Sequence, residues 1–273
     1  MNTPRIPSIL GTALLALLGA TAPALTQWTE TFDTTDSSWI VDRYAPSGFN
    51  TVSFGGDNRL QISVSTADNA TNRPAAFSSA FYNTQGRRYD LSGYSAPWTL
   101  SAQVYLDSAF NTTTGTLARS DLWARDTNPV ENQAFYPIFG FTNASPTDGF
   151  NPAAADRSFR LRAFDSSFGW RDLGLPTGLS FDAWHTFSIS ATGSTYEYLF
   201  DDVLLYTQPA YSDPGADGLK SAYIQSYNFG GSGYSVLWDN VSAIPEPGTY
   251  AAWFGGATLL VVLIRRLRRH RQS

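Results

Sequence analysis

Acidic side chains are the first candidates for chemistry in this sequence. Residues 27–244 hold 22 acidic residues, of which only three are glutamates: Glu30, Glu131 and Glu197. A glycoside hydrolase needs two carboxyl groups, one on each side of the bond it cleaves. These glutamates lie far apart along the chain, and no spacing singles out a pair of aspartates. The sequence alone therefore indicates no catalytic pair.

Nucleophilic and zinc chemistry also lack the residues they need. The chain has no cysteine, which excludes disulfides, thiolate zinc sites and cysteine nucleophiles. Residues 27–244 contain one histidine, His185, and no Gly-x-Ser-x-Gly sequence. Serine hydrolases need a histidine base beside the nucleophile, and zinc sites usually need two or three histidines. We interpret His185 as a strand residue bonded to the backbone, and we predict no catalytic residue and no enzyme.

Tryptophans offer a second kind of site, because aromatic rings can stack on sugar rings. Four of them lie in apolar alternation, which predicts a place in the core: Trp39, Trp98, Trp184 and Trp238. Trp123 and Trp170 lie in or beside loops, and Arg171 and Asp172 next to Trp170 could bind hydroxyl groups. These four residues are the predicted carbohydrate-binding platform; the alternative is that both rings are half-buried.

Period-two alternation recurs through residues 27–244 and predicts β-strands. The clearest runs are 60–64, 98–106, 159–163, 186–190, 196–200, 203–206, 223–227 and 234–241. Asp201 and Asp202 read as a tight hairpin turn, and Arg160 and Arg162 are placed on the solvent face of their strand. Two long loops are predicted at 111–132 and 143–156. The fold class is all-β, an antiparallel β-sandwich of one domain.

Charge divides unevenly along the chain. Residues 27–244 have 22 acidic and 12 basic residues, a net charge of −10. Such a surface repels nucleic acid and anionic lipid. We therefore expect no nucleic-acid partner, and we favour cations or neutral glycans as ligands.

The N-terminal 26 residues have the pattern of a secretory signal peptide. Arg5 precedes the apolar run 9–20, and Ala22-Pro-Ala24 follows it as a cleavage site. The run is short for a bilayer span, so we expect removal of residues 1–26 after export; an uncleaved anchor is the alternative.

The C-terminal end, residues 245–273, combines three elements in order. Pro245-Glu246-Pro247 comes first, then an apolar stretch that predicts a transmembrane helix at about 250–264, then five arginines that should stay cytoplasmic. This tail resembles the PEP-CTERM sorting domain of Gram-negative bacteria. The resemblance implies processing by an exosortase at the sorting motif Pro245, Glu246 and Pro247. It also implies an inner-membrane-anchored precursor, then the cell surface or extracellular matrix, in a host that makes extracellular polysaccharide. A plain single-helix anchor is the alternative.

The body resembles concanavalin-like and laminin-G-like jelly rolls. The resemblance rests on Phe32-Asp33 with Trp39, on Asp182-Ala-Trp184 leading to the Asp201-Asp202 turn, and on the closing 238–241 strand. Glucanases of this group carry Glu-x-Asp-x-x-Glu on one strand, and this sequence has no such run. The first and last strands are often neighbours in these folds, so Asp33 and Asp239, with Asp57 in a nearby turn, could bind structural calcium. The alternative is ordinary turn chemistry.

These observations predict an exported, exosortase-sorted protein whose β-sandwich binds extracellular polysaccharide without catalysis. The alternatives left open are a polysaccharide-processing enzyme of the glycosidase kind and a purely structural envelope component. A paired-carboxylate cleft with perturbed pKa values would favour the enzyme.

Overall fold

A computed structural model describes residues 27–94, 97–128, 133–144, 158–165, 169–192, 194–209 and 218–245. The predicted signal peptide, the predicted transmembrane helix, and Glu246 and Pro247 of the sorting motif lie outside these ranges, whereas Pro245 ends the last strand. None of the helices within the described ranges is both long and apolar enough to cross a membrane.

The first sheet, sheet A, is antiparallel and contains eight strands. Its order is β14-β13-β12-β6-β16-β4-β3, and β1 also pairs with β16. The strands are β1 (Trp28–Glu30), β3 (Gly48–Phe54), β4 (Asp57–Val64), β6 (Trp98–Leu106), β12 (Ala183–Ala191), β13 (Thr195–Phe200), β14 (Val203–Pro209) and β16 (Tyr234–Pro245).

The second sheet, sheet B, is also antiparallel, in the order β11-β10-β9-β7-β15-β5-β2, with β8 paired to β7. Its strands are β2 (Trp39–Arg43), β5 (Thr84–Tyr94), β7 (Arg119–Asn128), β8 (Gln133–Phe135), β9 (Ile138–Thr142), β10 (Arg160–Asp165), β11 (Gly169–Leu173) and β15 (Gly218–Tyr227). Short 3-10 helices occur at Thr66–Asp68, Ala75–Phe77, Ala80–Asn83 and Ser108–Phe110. Sequential strands change sheet repeatedly, which makes the jelly-roll sandwich that the alternation predicted.

The main core lies between the two sheets and follows the predicted alternation. Strand β6 shows it most clearly, because every second residue from Trp98 to Leu106 is buried. Trp39, Trp98 and Trp238 are fully buried in this core, as predicted. The Asp201-Asp202 turn is confirmed as well, with φ of 48° and 63°, the left-handed conformation that two-residue hairpins need.

Two fold-level predictions are wrong. Trp184 is only half-buried: it lies on the outer face of sheet A, 5.6 Å from the Tyr105 ring. The predicted loop 111–132 contains the ten-residue strand β7, which lies in the middle of sheet B. Arg119, Asp121, Arg125 and Asp126 interrupt the apolar pattern of this strand, and that is why it resembled a loop.

Buried hydrogen bonds connect the two sheets inside the core, and the shortest of those described joins Tyr196 to Asp126. The Tyr196 hydroxyl donates to Asp126 Oδ2 at 2.6 Å, and burial raises the pKa of both groups. We predict that Tyr196→Phe lowers the free energy of unfolding by about 1–3 kcal/mol, because the buried carboxyl group loses a donor. Chemical denaturation measures this. Tyr89→Phe is the control, since the described residues offer its hydroxyl no hydrogen-bond partner; equal losses in the two variants would contradict the assignment.

Candidate functional site

The outer face of sheet B carries a row of polar residues that crosses seven strands. Cross-strand partners connect the row step by step, and the seven residues alternate with core-facing neighbours. From edge to edge the polar row contains Asp42, Gly86, Gln225, Asp121, Gly140, Arg162 and Asp172. Residues from seven separate strands therefore form one continuous line.

The two glycines of the polar row make room for its side chains. A Cβ atom at Gly140 would lie 2.1 Å from Asp121 Oδ1, and one at Gly86 would lie 2.5 Å from Gln225 Oε1. Gln225 in turn donates from Nε2 to Asp42 Oδ2 at 3.0 Å. Asp121 and Gln225 therefore occupy the space above neighbouring strands, and this requires glycine there.

We predict that Gly140→Ala lowers the free energy of unfolding by about 1–3 kcal/mol, the usual cost of overpacking. The added methyl group would meet both Asp121 and the Ser120 carbonyl oxygen. Gly174→Ala is the matched control, because a Cβ there has no atom within 4 Å. Denaturant midpoints of the two variants measure the difference, and similar midpoints would contradict the packing argument.

A buried ion-pair cluster lies at the centre of the polar row. Arg119 Nε lies 2.7 Å from Asp121 Oδ2, and Arg162 Nε lies 3.7 Å from Asp121 Oδ1. All three residues are only 1% exposed. The prediction that Arg160 and Arg162 face solvent is therefore wrong. Arg160 is also buried, with its Nε 3.1 Å from Asp172 Oδ1, because it also donates to the carbonyl oxygens of Ser158 and Ala144, which lie over this end of the face.

Aromatic side chains form a second layer beside the polar row. Trp123, Ile138, Trp170 and Tyr223 make a small hydrophobic cluster separate from the main core, with Tyr136 and Phe164 packed against it. Ring centroids of Trp123 and Tyr223 are 6.1 Å apart, and those of Tyr136 and Tyr223 are 6.3 Å apart. This layer separates the charged centre of the face from the end that carries Asp90.

The predicted exposed platform is only partly assembled. Trp123, Trp170 and Asp172 share the outer face of sheet B, whereas Arg171 pairs with Ala163 and points to the opposite side. The expectation of exposed rings is wrong: Trp123 is 4% and Trp170 is 8% exposed. Guanidinium groups cover them, since Arg43 Cζ lies 4.7 Å from the Trp123 ring and Arg162 Cζ 3.8 Å from the Trp170 ring.

Arg43 reaches this face through an unusual backbone conformation. It ends β2 with φ of 57°, a region that non-glycine residues rarely adopt. Its guanidinium group lies over Trp123 and 4.4 Å from the Phe81 ring, and its Nε is 3.6 Å from Asp42 Oδ2. A conformation of this kind costs about 1–3 kcal/mol and persists where its surroundings require it. Here it brings a cation beside Asp42.

Two carboxyl groups on this face have pKa values shifted in opposite directions. Burial raises the pKa of Asp42, although the charges of Arg43 and Arg88 and the Gln225 hydrogen bond oppose it. Burial also acts on Asp90, but hydrogen bonds from Arg88 and Ser221 outweigh it and hold the pKa of Asp90 below its usual value. The Asp42 side chain is 17% exposed and that of Asp90 is 56% exposed. Both can therefore reach a ligand.

The spacing of these two carboxyl groups is wide. Asp42 pairs with Gly86, and Asp90 lies four residues further along β5, which puts the α-carbons roughly 14 Å apart by strand geometry. Arg88 lies between them: its Nε is 3.0 Å from Asp90 Oδ1. This α-carbon spacing is far from the separation of about 5–5.5 Å between carboxyl groups in retaining glycosidases. It approaches the inverting range of about 6.5–9.5 Å only where both side chains lean toward each other, with water between the groups.

The three predicted calcium ligands lie together on the other sheet, around an arginine. Asp33 and Asp57 are close enough for their charges to raise the pKa of Asp239, for which burial is the larger cause. Arg59 Nη1 lies 2.7 Å from Asp57 Oδ2 and also bonds Asp239. Within the described ranges, no group of three or more His, Cys, Asp or Glu residues could hold a metal ion. Calcium remains a prediction, which melting temperatures in calcium and in chelator would test.

His185 is bonded on both sides of its ring. Nδ1 lies 2.7 Å from Asp201 Oδ2, and Nε2 lies 2.8 Å from the Ser180 carbonyl oxygen. The ring is buried and stacks on Phe200. These contacts hold the hairpin of β13 and β14 against β12, a structural role that matches the interpretation from sequence.

Sequence reasoning missed Asp42 and Asp90 as candidates. They lie 48 positions apart, and only the pairing of β2 with β5 brings them to one face. The available signal was the pair of adjacent charges at Asp42-Arg43 and at Arg87-Arg88 with Asp90, in segments otherwise typical of strands.

No protein-family model matches this sequence, and no curated protein is similar to it at a significant level. Solved structures do resemble it. A GH16 protein of Bacteroides ovatus described with mixed-linkage glucan is 9% identical, with a TM-score of 0.48 over 80% of this chain and 98% of that one. A β-1,3-1,4-glucanase (lichenase) from a mouse hindgut metagenome is 15% identical, with a TM-score of 0.47 over 81% and 100%. A Bacillus licheniformis β-glucanase is 11% identical, with a TM-score of 0.46 over 81% and 98%.

At these identities the likeness concerns the fold alone. The predictions of a non-catalytic body and of no enzyme are nevertheless corrected on this finding, because these similar structures are named as glucanases and as a GH16 protein, and the finding accords better with the alternative. The case for catalysis in this chain rests on its own site residues.

Proposed function

We propose that the β-sandwich is a polysaccharide-processing enzyme whose site lies on the outer face of sheet B, between Asp42 and Asp90. One observation supports this most: the two carboxyl groups share a face, and their pKa values are shifted apart. Such divergence assigns acid and base roles. The raised pKa of Asp42 suits a proton donor, and the lowered pKa of Asp90 suits a base that stays ionised.

The proposed reaction is hydrolysis with inversion. Asp90 accepts a proton from a water molecule whose oxygen attacks the anomeric carbon. The glycosidic C–O bond breaks, and the oxygen of the leaving sugar takes the proton of Asp42. Water is consumed, and one proton passes to Asp90 as another leaves Asp42. Exchange with solvent restores both groups.

The side chains around these carboxyl groups have the chemistry to hold a sugar chain. Tyr136 is half-buried beside Tyr223 and Trp123, and offers part of a ring surface to a ligand. Burial raises the pKa of Tyr223 to about 12, so its hydroxyl remains a hydrogen-bond donor at neutral pH. Arg43 and Arg88 flank the same space with partly exposed side chains.

The test is a proton NMR time course of the purified full chain with a panel of neutral, uronate-containing and sulfated polysaccharides. We expect new reducing-end signals with one polymer, and the first product to have the anomeric configuration opposite to that of the cleaved bond. Products with retained configuration would contradict the roles of Asp42 and Asp90. The absence of new reducing-end signals with every polymer of the panel, including polysaccharide from the host, would overturn the proposal.

The pH dependence gives a separate prediction. Activity should fall as pH rises through the raised pKa of Asp42, because the donor loses its proton. Activity should also fall in acid, because protonation of Asp90 removes the base. Since the pKa of Asp90 is lowered, this fall should occur only below the pH at which ordinary carboxyl groups titrate. A pH–rate profile under first-order conditions measures both limbs. Full activity persisting into alkaline solution would contradict the role of Asp42.

We also propose that the chain is exported and that its tail is sorted by an exosortase. The basic start, short apolar run and Ala22-Pro-Ala24 support export, and the order of motif, apolar stretch and arginines supports sorting. Replacing Pro245-Glu246-Pro247 by alanines should leave the unprocessed chain in the inner membrane, as seen by mass and fractionation. Normal processing of that variant would exclude the sorting role.

A further inference from the structure

We infer that the polysaccharide taken by this site carries acidic groups, uronate carboxylates or sulfate esters, and that Arg125 is the residue that selects them. The inference deepens the proposed function and rests on it for the location of the site. It reverses the expectation of neutral glycans drawn from the overall charge.

Positive charge is concentrated on one face of an otherwise acidic body. The described strand residues that project from the outer face of sheet B include six arginines and four aspartates, whereas residues 27–244 as a whole have a net charge of −10. These are Arg43, Arg88, Arg119, Arg125, Arg160 and Arg162, with Asp42, Asp90, Asp121 and Asp172. Arg119, Arg160 and Arg162 are held in buried ion pairs, so six arginines less four aspartates leave an excess of two positive charges on this face. Such an excess favours an anionic ligand here over the rest of the acidic surface.

Three of these arginines surround the aromatic centre of the site. Tyr223 pairs across the sheet with both Arg88 and Trp123, and Arg125 lies two residues beyond Trp123 on the same side of β7. Arg43 covers Trp123 from the other end, with its side chain 23% exposed. A sugar ring placed against the half-buried Tyr136, which packs on the buried Tyr223, would therefore have guanidinium groups on more than one side.

Arg125 differs from its neighbours in having no counterion of its own. Arg88 bonds Asp90, and Arg43 lies near Asp42, but Arg125 makes no ion pair with any described residue. Its Nε atom is buried and has no hydrogen-bond partner. Its charge acts on Asp90 and Tyr223, the groups that border the site. The buried Nε–H group without a partner is costly. The side chain as a whole is only half-buried, and the planar edge of its guanidinium group matches carboxylate and sulfate oxygens.

The test measures binding and cleavage by the full chain with three polymers: polygalacturonate for the carboxylate, dextran sulfate for the sulfate ester, and a neutral β-glucan. Arg125→Gln is compared with Lys220→Gln, which removes one positive charge at a different position. Lys220 lies at the register shift of β15, and its charge acts on Asp126. We expect one acidic polymer to bind and be cleaved, and Arg125→Gln to weaken its binding about tenfold. Lys220→Gln should change it by less than about twofold, and added salt should weaken binding in the wild type.

The outcomes separate this inference from the proposed function. Cleavage of the neutral β-glucan without binding of either acidic polymer would overturn the inference and leave the proposed function intact. Binding of an acidic polymer that Arg125→Gln weakens, without any cleavage, would support the inference and overturn the proposed function. Equal weakening by Arg125→Gln and Lys220→Gln would show that net charge acts rather than Arg125, and would overturn the inference. Failure of all three polymers to bind would overturn it as well.

Discussion

Asp42→Asn should lower the rate of polysaccharide cleavage by about 10²–10⁴-fold, the usual contribution of a positioned general acid. The amide has nearly the same shape and can still accept the hydrogen bond from Gln225, but it cannot give a proton to the leaving sugar. Burial raises the pKa of Asp42, so its carboxyl group keeps that proton to a higher pH than an exposed aspartate would. The fold should therefore survive the substitution while the chemistry does not.

Initial rates with a single polymer measure this effect, and circular dichroism and melting temperature verify the fold. Asp202→Asn is the matched control: it removes the same charge on the exposed β13–β14 turn of the other sheet, where asparagine tolerates the positive φ. Its rate should stay within about twofold of the wild type. A similar rate for Asp42→Asn would show that the proton comes from elsewhere.

Asp121→Asn should produce the largest loss of stability, about 3–5 kcal/mol, the usual cost of breaking a buried ion pair from one side. Asp121 is 1% exposed and contacts two guanidinium groups that are equally buried, those of Arg119 and Arg162. Removing the carboxylate leaves their positive charge in a site from which water is excluded. The polar row should therefore lose its central support, and β7 and β10 should be loosened together.

Urea denaturation measures the free energy of unfolding of this variant. Asp90→Asn provides the comparison, because the Arg88–Asp90 pair is largely exposed and should contribute no more than about 1 kcal/mol. A loss below that value for Asp121→Asn would contradict a charge-compensating role. It would also mean that the Asp121 carboxylate, for which Gly140 leaves space, is not needed for stability.

The sequence was most informative where one side of a strand faces the core and the other faces water. Strand β6 has the predicted bounds, 98–106, because its residues alternate between these two environments. The hairpin at Asp201-Asp202 was predictable for a similarly local reason, since turn chemistry depends on few neighbouring residues. Sandwich architecture followed from many such strands.

Prediction failed on sheet B because the centre of its outer face is also buried. On β7, Leu122 and Ala124 face the core while Arg119, Asp121 and Trp123 are covered on the other side, so the polar residues do not mark solvent. The prediction that Arg160 and Arg162 face solvent was wrong for the same reason. Asp121 and Arg162 form an ion pair although they lie about 40 residues apart in the sequence. Strand register decides such pairs, and composition and alternation do not reveal the register.

The measurement that tests the central claim most directly is the release of reducing ends from one polysaccharide by wild type and Asp42→Asn, assayed side by side at a pH below the raised pKa of Asp42. We expect steady release by the wild type and at least about a hundredfold less by the folded variant. Equal release by both proteins would contradict the site on sheet B, and no release by the wild type from any polymer would contradict the enzyme itself.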